Sequence, residues 1–323
     1  MCRSRWKSRT MNQMNWKNKF KNLKVLKPFD PFNSKLCTCP PKLSLNVYTG
    51  CGYECFYCYT SSYSFGRWGY ENRNWGVKKN IIENLKKDIE RLNKKEFEKY
   101  KIVTVSLSSD PYPKAKYVDE EKLKFTRNSL KILTENNFYI LLQTKSTLFL
   151  RDLDILDKNK TLIGVTITTF DEKISSKIEK YAPSPFERLK AIEKAINSGF
   201  KVIVRIDPLI PEINTDLRKL EDMIKLFKNC GVKQLIFSTY KRKKDNEERF
   251  RKIFPEIEKK TRILYDYLKR INGYVYMKED LRRKILSEIK NVCGKYRIYF
   301  SCCREGFSDL NDKICDGREV LLC

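Results

Sequence analysis

Apolar segments alternate with helical segments along residues 43–239, and this alternation constrains the fold more than any other feature of the sequence. The apolar segments are rich in β-branched and aromatic residues. Several are uninterrupted, as in parallel strands that are buried on both faces. We predict six strands, over Leu43–Thr49, Lys101–Ser108, Phe138–Thr144, Leu162–Thr169, Phe200–Asp207 and Val232–Thr239.

Six strand–helix units in series predict an α/β fold with a parallel sheet and right-handed crossovers. A closed barrel of this type has eight units. We therefore favour a partial (βα)6 barrel of parallel strands, and an open doubly wound sheet stays the alternative.

Two of the intervening helices have clear start and stop signals. In SPFERLKAIEKAINSG, Ser184 is the expected N-cap, a proline follows it, Glu187 completes a capping box and Gly199 ends the helix. In TDLRKLEDMIKLFKNCG, Thr215 is the expected N-cap and Gly231 ends the helix.

The pattern changes after Tyr240. The charge run KRKKDNEERF is followed by helical periodicity near Phe250–Asn272 and Lys278–Val292, by a short strand, YRIYFS, and by a cysteine-containing tail. We predict three parts: a basic N-terminal extension over 1–36, a core over 37–240 and a helical, Cys-rich C-terminal region over 241–323.

Composition places the chain among globular proteins. It has 323 residues, of which 41% are apolar, so it can bury a substantial core. No apolar run approaches the ~18 residues that a membrane span requires, and the N-terminal residues lack the apolar segment of a secretory signal. We expect a cytoplasmic protein with no membrane partner.

The chain has 12 cysteines and no histidine. The absence of histidine excludes a Ser-His-Asp triad, a Cys-His nucleophile pair and a mixed Cys/His zinc finger. Clustered cysteines in a chain without a secretory signal favour metal ligands or catalytic thiols over disulfides.

The net charge is +27, from 67 basic and 40 acidic residues. Such a field attracts polyanions, and nucleic acid is the usual polyanion. Residues 1–27 carry nine Lys or Arg and no acid, with Trp6 and Trp16 among them, which suits a phosphate backbone or a disordered tail equally. Compositional bias alone is the alternative explanation of the charge.

Three cysteines, Cys51, Cys55 and Cys58, follow the first predicted strand in LNVYTGCGYECFYCYTSSY. Parallel α/β folds place their chemistry at the carboxyl ends of strands. A [4Fe–4S] cluster needs four iron ligands, so three cysteines would leave one iron open to a further ligand. A zinc site or chance clustering is the alternative, although zinc sites normally offer four ligands.

This motif, C-x3-C-x-aromatic-C after the first strand, resembles that of the radical S-adenosylmethionine (SAM) superfamily. The resemblance implies that Cys51, Cys55 and Cys58 hold a [4Fe–4S] cluster, whose open iron chelates SAM. It implies reductive cleavage of SAM to a 5'-deoxyadenosyl radical, with an electron donor such as a ferredoxin or flavodoxin. Tyr57 matches the aromatic position beside the adenine.

Further stretches are similar to the branch that contains spore photoproduct lyase and the proteins called DNA repair photolyases. They are VSLSSDPYP, QTKS, YAPSPFERLKAI and RIDPLIP. The resemblance implies that polar groups at the second strand end hold the SAM amino group, and that Lys145 pairs with the SAM carboxylate or a substrate phosphate. The candidate cofactor-binding residues are Tyr57, Ser108, Ser109, Asp110, Lys145 and Ser146.

Two features of this resemblance leave the substrate open. Spore photoproduct lyase returns a hydrogen atom from a cysteine on its second strand, whereas this chain has no cysteine between Cys58 and Cys230. Arg205 and Asp207, which end the fifth strand, are either ligand-binding residues or an internal ion pair.

The remaining cysteines suggest a second metal site, if the tail folds back onto the barrel. The candidate cysteines outnumber the usual four ligands, so some of them would not bind metal. Packing as small buried residues, or donation of a hydrogen atom to the product, are the alternative roles. Cys2, Cys230 and Cys293 are more simply structural. The six candidates are Cys37, Cys39, Cys302, Cys303, Cys315 and Cys323.

The leading hypothesis is a radical SAM enzyme, of lyase or transferase class, that acts on nucleic acid in DNA lesion repair or RNA modification. KRKK at Lys241–Lys244 would then guide a phosphate backbone, unless it is a solvated loop. A radical SAM enzyme for a protein or small metabolite, and a non-catalytic iron–sulfur or zinc binding module, are the alternatives. The sequence does not indicate the oligomeric state.

Overall fold

The structure is a computed structural model that describes residues 20–29, 36–60, 76–93, 101–115 and 118–322. Most of the predicted N-terminal extension lies outside these ranges, including Trp6 and Trp16. Cys2 and Cys323 also lie outside the described residues.

The described residues form one large sheet and three short two-stranded sheets. In chain order the strands are β1 Lys27–Phe29, β2 Lys42–Leu45, β3 Tyr48–Thr49, β4 Gly76–Val77, β5 Ile102–Val105, β6 Lys114–Ala115, β7 Val118–Asp119, β8 Tyr139–Thr144, β9 Thr161–Thr166, β10 Lys201–Leu209, β11 Gln234–Thr239, β12 Tyr265–Ile271, β13 Tyr274–Met277 and β14 Tyr299–Cys302.

The large sheet has eight strands in the order β1-β2-β5-β8-β9-β10-β11-β14. Every pair from β2 to β14 is parallel, with Leu43 opposite Val103 and Val103 opposite Ile140, and only β1 is antiparallel to its neighbour. All six predicted strands are therefore confirmed as parallel neighbours, and YRIYFS supplies a seventh. The predicted α/β partial barrel is confirmed.

The described residues also form ten helices, and the five longest cover the outer face of the large sheet. The ten helices are α1 Ile81–Leu92, α2 Glu120–Leu123, α3 Phe125–Glu135, α4 Glu172–Ile178, α5 Pro185–Asn197, α6 Leu217–Asn229, α7 Lys244–Ile253, α8 Pro255–Thr261, α9 Glu279–Lys295 and α10 Arg318–Leu322, with 3-10 turns at Leu148–Ile155, Arg262–Leu264 and Ser308–Leu310.

The helix signals of the sequence are mostly confirmed. Ser184 and Glu187 form the predicted capping box, but α6 is capped by Asp216 rather than Thr215. The helix predicted over Phe250–Asn272 is wrong beyond Leu264, because Tyr265–Ile271 is a strand that pairs with β13.

The strands alternate their side chains between two cores, as a period of two requires. Val103, Ile140 and Val204 face the helices in the main core. Ile102, Leu141 and Ile203 face the other way, into the barrel interior, where they pack against Val320 and Leu321 of the C-terminal tail. The tail therefore closes one end of the interior, and the other end is left to a cavity.

In the part of the chain that the structure describes, no helix is both long and apolar enough to cross a membrane.

Candidate active site

A cavity of 340 Å³ lies where the strands of the barrel end, and every parallel strand of the large sheet brings residues to it. The loop after β3 contributes seven residues between Cys51 and Thr60, and the loop after β5 contributes Ser106–Asp110. Gln143–Lys145 come from the end of β8, Arg205 from β10, and Lys241 from just beyond β11. The predicted grouping of chemistry at the carboxyl ends of the strands is therefore observed.

Cys51, Cys55 and Cys58 lie together in one wall of this cavity. Their loop bends sharply at Gly50 and Gly52, whose φ angles of 74° and 71° favour glycine. The guanidinium of Arg249, on α7, donates hydrogen bonds to the carbonyls of Phe56 at 2.8 Å and Cys58 at 3.1 Å. The loop is thus held in place independently of anything its thiols bind.

The three thiols suit an iron–sulfur cluster. Burial, with the neighbouring Cys58 and Asp110, raises the pKa of Cys51 to about 11, and burial also raises the pKa of Cys55. Thiolates in this wall therefore need a positive partner, as iron provides. No three Cys, Asp or Glu side chains among the described residues converge on a point for a single metal ion. Cluster thiolates bind different irons and need no such point.

Tyr57 is fixed by a buried ion pair. Its hydroxyl donates to Glu179, which also forms an ion pair with Arg188 at 2.6 Å. Both partners of the ion pair are fully buried. The ammonium of Lys145 lies 5.5 Å from the centre of the Tyr57 ring, on the cavity side. Glu179 and Arg188 are not among the site residues predicted from the sequence, although Arg188 belongs to the stretch YAPSPFERLKAI.

Asp110 lies in the cavity wall, but its carboxylate already accepts three hydrogen bonds. The donors are Thr144 Oγ1 at 2.8 Å, the Lys145 amide at 2.8 Å and the Tyr112 amide at 3.0 Å. Burial raises the pKa of Asp110, and these donors oppose the rise. The carboxylate therefore joins the ends of β5 and β8 whether or not it also binds a ligand.

The predicted serines have different positions. Ser108 and Ser109 line the cavity, and the Ser109 hydroxyl donates to the Tyr48 carbonyl at 2.8 Å. Ser146 does not line the cavity. Its hydroxyl oxygen accepts a hydrogen bond from the Leu148 amide at 3.1 Å. Asn46 was missed: its side-chain oxygen accepts the amides of residues 107 and 108 and shapes this loop.

Arg205 and Asp207 form an ion pair of 2.6 Å, the internal pair that we considered, and both line the cavity. The prediction that KRKK guides a phosphate backbone is wrong for Arg242. Its side chain is fully buried, and it pairs with Glu258 at 2.7 Å. Lys241 does line the cavity and pairs with Glu305 at 2.8 Å.

A second set of thiols lies in the same cavity. Cys39 Sγ is 3.1 Å from Cys315 Sγ, Cys37 contacts Cys39, and Cys303 contacts Cys315. The second metal site is nevertheless not supported, since no three of these side chains are placed around one ion in the described chain. Cys302 is buried in the main core, where its thiol donates to the Phe307 carbonyl at 3.4 Å, and Cys323 is not described.

The sequence and the fold were compared with known proteins. The model of the radical SAM superfamily matches residues 45–227. An uncharacterised protein of Methanocaldococcus jannaschii is 33% identical over 205 residues, which are 62% of this chain and 71% of that protein. An uncharacterised protein of Acidianus two-tailed virus is 32% identical over 202 residues, which are 59% of this chain and 65% of that protein.

Among solved structures, the chain is similar to a spore photoproduct lyase variant with bound AdoMet and dinucleoside spore photoproduct. The TM-score is 0.61 at 17% identity, and the match covers 87% of this chain and 79% of that chain. At this identity the likeness establishes a shared fold.

Proposed function

This chain belongs to the radical SAM superfamily and is an enzyme, and on that premise we propose that it acts on nucleic acid. Membership implies a [4Fe–4S] cluster and SAM. We propose that Cys51, Cys55 and Cys58 hold the cluster. With both bound and one electron supplied by an external donor, they would yield methionine and a 5'-deoxyadenosyl radical, which would abstract a hydrogen atom from the substrate.

The observation that carries the proposal is that the three thiols share one cavity with Lys145 and Asp110. SAM has a cationic amino group and an anionic carboxylate, so it needs partners of both signs. Lys145 is a cation beside Cys55 and Tyr57. Asp110 is a carboxylate between the ends of β5 and β8. We propose that Lys145 binds the SAM carboxylate, and that Asp110 and Ser108 bind its amino group.

Tyr57 is proposed to bind the adenosine portion. Its hydroxyl is held by Glu179, so the ring keeps one orientation beside the cysteine loop. A ring that is fixed in advance loses little conformational entropy when a ligand packs on it.

Two observations support nucleic acid as the substrate class. The chain carries a net charge of +27, which favours association with polyanions. The similar spore photoproduct lyase structure holds a dinucleoside spore photoproduct. Lesion repair would require DNA and RNA modification would require RNA, so the type of nucleic acid separates these two reactions.

The test is anaerobic reconstitution with iron and sulfide, reduction with dithionite, and quantification of 5'-deoxyadenosine from SAM. Tubes with single-stranded DNA, duplex DNA or RNA are compared with a tube that lacks nucleic acid. We expect 5'-deoxyadenosine in all tubes and stimulation by one type of nucleic acid.

The Cys51→Ala/Cys55→Ala/Cys58→Ala variant should form none. Cys230→Ala is the matched control, because Cys230 lies outside the cavity and contacts Glu193. Cleavage by the triple variant at the wild-type rate would refute the assignment of the cysteines. Cleavage that no nucleic acid stimulates, together with no binding of nucleic acid, would refute the proposed substrate class.

A further inference from the structure

The cationic side chains of the cavity are of two kinds. Three have a carboxylate partner, and these ion pairs are Lys42–Asp316 at 2.7 Å, Arg205–Asp207 at 2.6 Å and Lys241–Glu305 at 2.8 Å. Lys145 and Arg304 line the same cavity, and neither forms an ion pair with a carboxylate of the described chain. Lys145 lies in the wall of the cluster cysteines. Arg304 comes from a later segment, two residues after the end of β14.

Arg304 is surrounded by rings and a thiol. Its guanidinium lies 5.2 Å from the centre of the Tyr274 ring. Burial alone would lower its pKa, but Tyr276, Tyr274, Tyr59 and Cys303 raise it. The side chain is thus a permanent cation.

Two buried polar groups near this point have no hydrogen-bond partner. They are the Nε of Arg304 and the hydroxyl of Tyr276. A buried donor without a partner costs about 1–3 kcal/mol, so proteins rarely leave one unless a ligand or water completes it. The guanidinium of Arg304 lines the cavity, and a guanidinium edge can donate to an oxyanion.

The backbone at Arg304 is held rigidly. The next residue, Glu305, is buried, and its carboxylate accepts from the Thr239 amide at 2.8 Å, from Lys241 and from Arg282 at 2.8 Å. Because Glu305 is fully engaged, it leaves Arg304 without a neutralising neighbour. Arg304 itself has a φ of 57°, a conformation that costs a non-glycine residue energy and is retained only where the surroundings impose it.

We propose that Arg304 binds an anionic group of the substrate. The proposal rests on the proposed function, and the anion is accordingly a phosphodiester of the nucleic acid. The planar guanidinium can bind two phosphate oxygens at once. Tyr274 and Tyr59, which line the same cavity, offer rings for a base that is unstacked from its neighbours.

The test compares wild type with Arg304→Gln, Arg304→Lys and Arg218→Gln. Arg218 is the control, because it is an exposed arginine at the start of α6, away from the cavity. Each reconstituted protein is titrated anaerobically with a fluorescein-labelled single-stranded oligonucleotide over a series of salt concentrations. SAM binding is measured in parallel by equilibrium dialysis.

We expect Arg304→Gln to weaken oligonucleotide binding about tenfold, the usual loss for one charge-assisted contact. It should also lower the slope of log Kd against log salt by about one. Arg304→Lys should keep the slope and lose part of the affinity, because a lysine retains the charge without the planar fork. Arg218→Gln should match wild type in both quantities.

The outcomes separate the two proposals. If wild type binds no oligonucleotide, the proposed function fails and the assignment of Arg304 fails with it. If wild type binds and Arg304→Gln has the same affinity and salt slope, only the assignment of Arg304 is overturned. A loss of SAM affinity in Arg304→Gln, with oligonucleotide binding intact, would likewise overturn it. If Arg304→Gln fails to take up iron, the oligonucleotide affinity of Arg304→Lys is the deciding measurement. An affinity of Arg304→Lys equal to that of wild type would contradict the proposal.

Discussion

At the scale of single residues, the buried carboxylate of Glu179 connects three parts of the site. It accepts the hydroxyl of Tyr57, pairs with Arg188 and contacts Thr168 Oγ1 at 3.3 Å. Arg188 in turn donates to the Thr166 carbonyl at 2.7 Å, at the end of β9. Burial would raise the pKa of Glu179, but Arg188, Lys145 and Tyr57 lower it, so the group is a carboxylate at neutral pH.

Arg188→Met should destabilise the fold by about 3–5 kcal/mol, because it leaves the Glu179 charge buried without its partner. Chemical denaturation of the apoprotein measures the loss. Arg283→Met is the control, since Arg283 and Asp309 form an exposed pair whose loss should change the stability little. Equal effects of the two substitutions would contradict the account of the Tyr57–Glu179–Arg188 contact.

At the scale of elements, the C-terminal tail is the part that completes the barrel interior. Asp316 pairs with Lys42 of β2 at 2.7 Å and with Arg318 at 2.8 Å. Arg318 also donates to the carbonyls of Pro40 and Pro41, just before β2. Gly317, between them, has a φ of 81° and lies so close to the sheet that a Cβ would be 2.4 Å from Leu162 Cδ2.

Gly317→Ala should therefore destabilise the protein, by about 1–3 kcal/mol from overpacking and about 1–2 kcal/mol from the backbone conformation. Gly294→Ala is the matched control, because Gly294 lies in α9 with open space around its Cα. There alanine should stabilise by up to about 1 kcal/mol. Thermal unfolding of both variants measures the difference, and a Gly317→Ala protein as stable as wild type would show that the tail does not pack as described.

The first strand of the short hairpin of β12 and β13 was predicted as a helix because its apolar residues have helical spacing. Ile263, Leu264, Tyr267, Leu268 and Ile271 recur at helical spacing, and that spacing produced the wrong helix prediction. In the structure Leu268 is fully exposed, and the strand pairs across a turn. The turn is Asn272–Gly273, with φ angles of 52° and 79°. This pair is a strong hairpin signal that outweighs the periodicity.

At the scale of the whole molecule, the sequence was sufficient to predict the parallel sheet and the grouping of the three cysteines at the cavity. Buried parallel strands have a local signature, and Cys51, Cys55 and Cys58 are close together in the chain. The cavity residues that distant segments bring together have no such signature. Cys39 and Cys315 are 276 residues apart, and Arg304 meets Tyr274 only because β14 joins the sheet. Arg242 was misplaced for the same reason, since its partner Glu258 comes from a later helix.

The central claim is that one wall of the cavity holds a [4Fe–4S] cluster with an iron open to SAM. The most direct test is electron paramagnetic resonance of the reduced, anaerobically reconstituted protein, recorded with and without SAM. Iron and sulfide should correspond to one cluster per chain, and SAM should change the spectrum, because three thiolates leave one iron without a protein ligand. Cys39→Ser/Cys315→Ser should retain this behaviour. A spectrum that SAM does not change, or a cluster that survives in the Cys51→Ala/Cys55→Ala/Cys58→Ala variant, would contradict the claim.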